Sequence, residues 1–136
     1  MREELDKQLC HDFPLLFADR NASMRVTCMC WGFPGDGWYE IIREAAEKLE
    51  PLIVAYRKQY PGEEFPRASQ VKEKFGTMRF YMTMETAEMT AITEEVERKS
   101  AKVCEECGKT GKLRKDGWLI TACTPCWRKR RERSKS

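Results

Sequence analysis

The feature that most constrains this chain is a pair of Cys-x-x-Cys turns, Cys104/Cys107 and Cys123/Cys126, separated by fifteen residues. A two-residue gap lets one tight turn aim both thiolates at a single ion. Two such turns facing each other across a hairpin close a tetrahedral sulfur shell. Gly108 follows the first pair, where the turn needs a residue tolerant of positive φ. The spacing therefore predicts a C-terminal four-cysteine zinc ribbon, with one Zn2+ held by Cys104, Cys107, Cys123 and Cys126. Four thiolates fill the tetrahedron, so no position stays open for water or substrate and the metal reads as structural. Disulfides are the competing use of such cysteines. The chain shows no secretory context, and seven cysteines, an odd number with four in a metal pattern, fit a reducing compartment better.

A chain of 136 residues leaves room for one modest core beside the ribbon. Leu5, Leu9 and Phe13 mark a short amphipathic helix stopped by Pro14, and MRVTCMCW (24–31) reads as a short strand. Asp36 is placed to cap a long helix whose stripe is Trp38, Ile41, Ile42, Ala45, Leu49, Leu52, Ile53 and Tyr56. Pro51 predicts a kink there, or two abutting helices, near Leu49. In VKEKFGTMRFYMTM (71–84) a turn near Gly76 separates two alternating runs, with Met78, Phe80, Met82 and Met84 on one face and Arg79, Tyr81 and Thr83 on the other. A second main helix starts near Thr86, its buried face marked by Met89, Ile92, Val96 and Val103. The expected fold is α+β: two main helices packed on a small antiparallel sheet, with the four-cysteine ribbon at the end. Residues 1–100 form the body, 101–127 the ribbon, and 128–136 a basic tail expected to fray. The tripeptide DGW occurs twice, at 36–38 and 116–118.

The formal charge of +3 hides an asymmetry. Residues 1–99 carry 14 Lys and Arg against 18 Asp and Glu, a net of −4, whereas residues 100–136 carry 11 against 4, a net of +7. A Zn2+ on four thiolates lowers the latter to +5. His11 is the single histidine, and it lies far in sequence from the Cys-x-x-Cys turns. That argues against a zinc-stapled histidine nuclease. A deaminase needs His-x-Glu and an open zinc position, and neither is present. Walker phosphate loops and Gly-x-Ser-x-Gly elbows are also missing, so the chain reads as non-enzymatic. Cys10, His11, Cys28 and Cys30 could supply a second metal shell, although Cys-x-Cys is a poorer turn and free cysteines often serve as small buried hydrophobes. The sequence leaves that point open. It has no apolar run of membrane-spanning length, and its N-terminus MREELDKQLC is too acidic for a signal peptide, so a cytoplasmic location is expected.

Two binding readings remain. In one, Trp127, Arg128, Lys129, Arg130, Arg131 and Arg133 grip nucleic-acid phosphates, with Trp127 stacking on a base; the same run could equally be a solvated charged end. The other, which is the preferred reading of the sequence, comes from resemblance. PGDGWYEII (34–42), QVKEKFGTMRFYM (70–82) and CEECGKTGKLRKDGW (104–118) together resemble a family of small phage and prophage proteins. The chain is also similar in outline to zinc-containing anti-CRISPR inhibitors. That resemblance implies a protein of the bacterial host cytoplasm that binds a type II RNA-guided CRISPR nuclease stoichiometrically and blocks target-DNA loading. The acidic body would then carry recognition, through Glu40, Glu44, Glu47, Glu88, Glu94 and Glu95.

Overall fold

The long apolar stripe becomes α2 (Tyr39–Gln59), which buries Ile41, Ile42, Ala45, Ala46, Leu49 and Ile53. In the computed structural model, which describes residues 1–135, α2 is preceded by α1 (Glu3–Asp12) and followed by a hairpin of β1 (Ala68–Lys74) and β2 (Thr77–Met82). Next come α3 (Ala87–Ser100), a second hairpin of β3 (Lys112–Arg114) and β4 (Ile120–Ala122), and α4 (Thr124–Lys135). Both hairpins are antiparallel and each forms its own two-stranded sheet. The architecture is thus α+β, with the four cysteines clustered in a C-terminal ribbon. No helix among the described residues is long and apolar enough to cross a membrane.

One core is built from α1, α2, the first hairpin and α3, with Leu9, Phe13, Trp38, Leu49, Val71, Met78, Phe80, Met89 and Val96 all buried in it. On the hairpin the alternation is kept at Met78 and Phe80, while Met82 is half-buried and Met84 lies past the strand, exposed. Thr86 caps α3 by accepting the Met89 N–H at 3.3 Å. Ser100, at the other end of α3, accepts the Met78 N–H at 2.8 Å and donates to the Glu97 carbonyl at 2.7 Å. A second, small core holds Cys104, Ile120, Ala122 and Cys123, with Cys126 and Trp127 against it.

Several expectations are corrected. The segment MRVTCMCW is not a strand; it forms turns and one short 3-10 turn at Met29–Trp31. Side chains take the place of ladder partners there. Thr27 accepts the Met29 N–H and donates to the Ser69 carbonyl, while Arg20 donates to the Cys30 carbonyl. Asp36 does not cap α2: it opens a separate 3-10 turn (Asp36–Trp38), and its carboxylate binds the backbone N–H and guanidinium of Arg2. Pro51 does not divide the long helix, which runs through it for 21 residues. Pro51 is on the exposed face, where the carbonyl freed by its missing N–H can be met by water. The basic tail is helical through Lys135.

One turn carries visible strain. Phe75 has φ +54 and is followed by Gly76 at φ +89, so both central residues of the β1–β2 turn are left-handed. Such turns favour Asn-Gly. A bulky Phe in that region costs on the order of 1 kcal/mol, and its ring is 66% exposed, so packing does not offset the cost. Phe75→Asn is therefore expected to raise the unfolding free energy by about 1 kcal/mol, measured by urea denaturation.

Candidate metal centre

The four cysteines converge. One Sγ from each of Cys104, Cys107, Cys123 and Cys126 lies within 4.8 Å of all the others, and Cys107 and Cys123 are 3.6 Å apart. Sulfurs about 2.3 Å from a shared ion in a tetrahedron stand roughly 3.8 Å from one another. A disulfide needs about 2.05 Å, and all seven cysteines are free. The spacing thus fits one metal ion and no cystine. Cys104 and Cys123 are buried, Cys126 is half-buried and Cys107 faces solvent.

Local geometry explains how each thiol is aimed. In the first turn Gly108, at φ +82, donates its N–H to the Cys104 carbonyl at 3.0 Å, and Cys104 donates to the Lys109 carbonyl at 2.7 Å. The second turn runs straight into α4. Backbone N–H donation from Cys126 lowers the Cys123 thiol to about 7, against the opposing effect of burial, while burial pushes the Cys126 thiol up. Four sulfurs this close cannot all carry charge without a cation between them.

The ribbon is gripped by the body, in ways the cysteine spacing does not show. Gly37 donates its N–H to the Glu105 carbonyl at 2.7 Å, and Gly35 donates to the Glu105 carboxylate at 3.1 Å. Indole Nε1 of the fully buried Trp38 donates to the Val103 carbonyl at 2.8 Å. A Cβ at Gly37 would overlap the Cys104 carbonyl oxygen and lie 2.5 Å from the Gly108 nitrogen. PGDGW is therefore a backbone cradle for the first metal turn. From the other side, Thr121 on β4 donates to the Gly76 carbonyl at 2.5 Å, and a Cβ at Gly76 would meet Leu113 at 2.5 Å. Two glycine-bearing motifs of the body thus hold the metal hairpin.

The other candidates are dispersed or engaged. Among the described residues, Cys104, Cys107, Cys123 and Cys126 are the one cluster of at least three potential ligands. Cys10, His11, Cys28 and Cys30 do not join into a second: Cys10 points to Asp6, Cys30 to the Thr27 carbonyl and His11 to Asp12, and Cys28 is exposed. On the body, Glu44 meets Lys99 at 2.5 Å and Lys48 at 3.5 Å, Glu47 meets Arg43 at 3.3 Å, and Glu95 meets Arg98 at 2.5 Å. Glu40, Glu88 and Glu94 are exposed. Trp127 is half-buried against the small core, with the guanidiniums of Arg114 and Arg131 each 5.0 Å from its ring, so it is not an open stacking platform. The exposed tryptophan of the ribbon is Trp118, in the second DGW. Sequence reasoning misses it, although the repeated tripeptide is a signal.

No protein-family model matches the chain, and no curated protein or solved structure matches it either.

Three outcomes follow from the geometry. Cys107→Ser should lose the metal and unfold residues 101–135, seen by metal analysis and by hydrogen exchange. Because bound thiols are deprotonated, metal affinity should fall as pH falls. Gly37→Ala should destabilise the protein by about 3 kcal/mol through a backbone clash that no rotamer relieves, measured by denaturant unfolding.

Proposed function

We propose that the metal is zinc and that this is a non-enzymatic zinc-ribbon protein that binds nucleic acid through its basic C-terminal helix. A shell of four thiolates is the donor set that suits structural zinc. The observation that carries the binding reading is α4. None of its residues is fully buried, and along its twelve residues it bears Arg128, Lys129, Arg130, Arg131, Arg133 and Lys135 against one carboxylate, Glu132. A helix that packs only Cys126 and Trp127 of its first turn against a core draws little stability from packing along the rest of its length. Its first turn is nevertheless fixed, because Cys126 belongs to the metal shell and the Trp127 N–H is donated to the Cys123 carbonyl at 3.0 Å.

The charges on α4 are loosely held. Arg130 and Arg133 stand 3.9 and 3.5 Å from Glu106, and Arg131 stands 4.0 Å from Asp116, all on the surface. Exposed pairs of this kind contribute little, so phosphates can displace them. Arg128 and Lys129 make no ion pair among the described residues. The basic helix therefore supports phosphate binding at one end of the molecule. A rigid helix also orders its cations better than a frayed tail would.

The second reading is the one the resemblance implies: a phage-type anti-CRISPR protein that binds a type II nuclease and blocks DNA loading by occupancy. Exposure of Glu40, Glu88 and Glu94 on a body of net charge −4 favours it. The pairing of Glu44, Glu47 and Glu95 with neighbouring cations weighs against it. One pair of variants separates the two. Removal of residues 128–136 should abolish nucleic-acid binding, and the intact chain should show a log–log salt slope of about −4, from roughly five neutralised phosphates. Combined Glu40→Lys, Glu88→Lys and Glu94→Lys should leave nucleic-acid binding intact or tighter. If instead that triple variant lost inhibition of a type II nuclease, and the truncation kept it, the inhibitor reading would replace ours.

A further inference from the structure

The tips of the two hairpins each carry an exposed aromatic side chain, and the two lie next to each other. Phe75 is 66% and Trp118 76% exposed. With Glu73, Lys74, Gly117 and Leu119 they line one groove of 450 Å³. Its walls do not rest on loose loops. The Thr121 hydroxyl on β4 is bonded to the Gly76 carbonyl, and Leu113 of β3 packs against Gly76, so each tip is held relative to the other.

Neither aromatic has a structural reason to be there. Phe75 takes the left-handed position of its turn, where Asn or Gly would fit without strain, and contributes no ring to the core. Trp118 follows Gly117, which has φ +83 and open space around it, unlike the crowded Gly37 of the first DGW. The same tripeptide is packed in one place and displayed in the other. An apolar groove kept in water at the cost of backbone strain points to a ligand with flat apolar faces.

Charge selects the kind of ligand. Lys74 lines the groove, its ammonium 5.6 Å from the centre of the Phe75 ring, and Lys112 and Lys115 are exposed on the same ribbon hairpin as Trp118. Of the two nearby acids, Glu73 accepts the Gly76 N–H at 2.8 Å and Asp116 faces Arg131 at 4.0 Å. Aromatic faces set among lysines are the chemistry that binds stacked bases and their phosphates together.

We propose that the Phe75–Trp118 groove takes an unpaired base, so that the protein binds single-stranded nucleic acid in preference to duplex, with α4 holding the adjoining phosphates. This rests on the nucleic-acid reading of α4 and specifies the form of the polymer. A base inside a duplex has its faces covered by its neighbours and cannot enter such a groove.

The test uses the full-length, zinc-loaded chain with a fluorescein-labelled oligo-dT strand and a duplex of equal length, read by anisotropy. Trp118→Ala and Phe75→Asn are each expected to weaken single-strand binding about tenfold, as for the loss of one stacked base, and to change duplex binding far less. Phe75→Asn relieves turn strain, so weaker binding together with a higher melting temperature would exclude misfolding as the cause. Trp118→Phe should restore most of the loss seen with alanine. If both variants bind the single strand like the parent while removal of residues 128–136 abolishes binding, the groove proposal is overturned and the α4 reading stands. If the parent binds neither polymer, both fall. A proline-rich peptide that quenches Trp118 fluorescence where oligo-dT does not would also overturn the proposal, by making the groove a peptide site.

Discussion

The backbone contact between the PGDGW loop and the first metal turn is the constraint on which the rest of the structure depends. Gly37 and Gly35 donate to Glu105, and the Trp38 indole donates to Val103, so the turn that aims Cys104 and Cys107 is held by the residues that lead into α2. The approach is too close for any side chain at Gly37. Trp38 is at once the first buried residue of the long apolar stripe and a hydrogen-bond donor to the ribbon. Cysteine cluster and body core are therefore coupled through Trp38 as well as through the glycine contacts, and the ribbon is poorly described as a satellite.

That coupling gives α4 its meaning. Left to itself, a twelve-residue helix rich in Arg and Lys is marginal in water, since nucleation is costly and like charges repel. Here the metal turn supplies the nucleus: Cys126 sits in its first turn and Trp127 packs on the small core between two guanidiniums. The cations are presented from a fixed base. On the body, by contrast, much of the acidic charge is spent on local pairs such as Glu44 with Lys99 and Glu95 with Arg98. The two ends of the molecule thus differ in how much of their charge is available to a partner as well as in its sign.

The two copies of DGW show how little a short motif means outside its setting. At 36–38 the glycine is pressed against the Cys104 carbonyl and the tryptophan is fully buried; at 116–118 the glycine has open space around it and the tryptophan is in water. Similarly, Phe-Gly at the first hairpin tip adopts a turn that the sequence announces only as a glycine break. The aromatic pair at the two tips exists because Thr121 and Leu113 bring the second hairpin onto Gly76.

The sequence by itself determined the four cysteines that cluster, the α+β class, the core stripe of α2 and the Met78/Phe80 face of the hairpin. Those follow from covalent spacing and from periods of two and 3.6 residues, which are local properties of a chain. Local rules also misread 24–31 as a strand, Asp36 as a cap and the tail as frayed. In each case a distant partner decided the outcome: Ser69 for Thr27, Arg2 for Asp36, and the four-cysteine cluster with its small core for the helix that follows Cys123. Tertiary structure alone decided which glycines act as a cradle, which carboxylates are already paired and which aromatics face solvent. These depend on contacts between segments far apart in the chain, such as Gly37 with Glu105 and Gly76 with Thr121, and no local period encodes them.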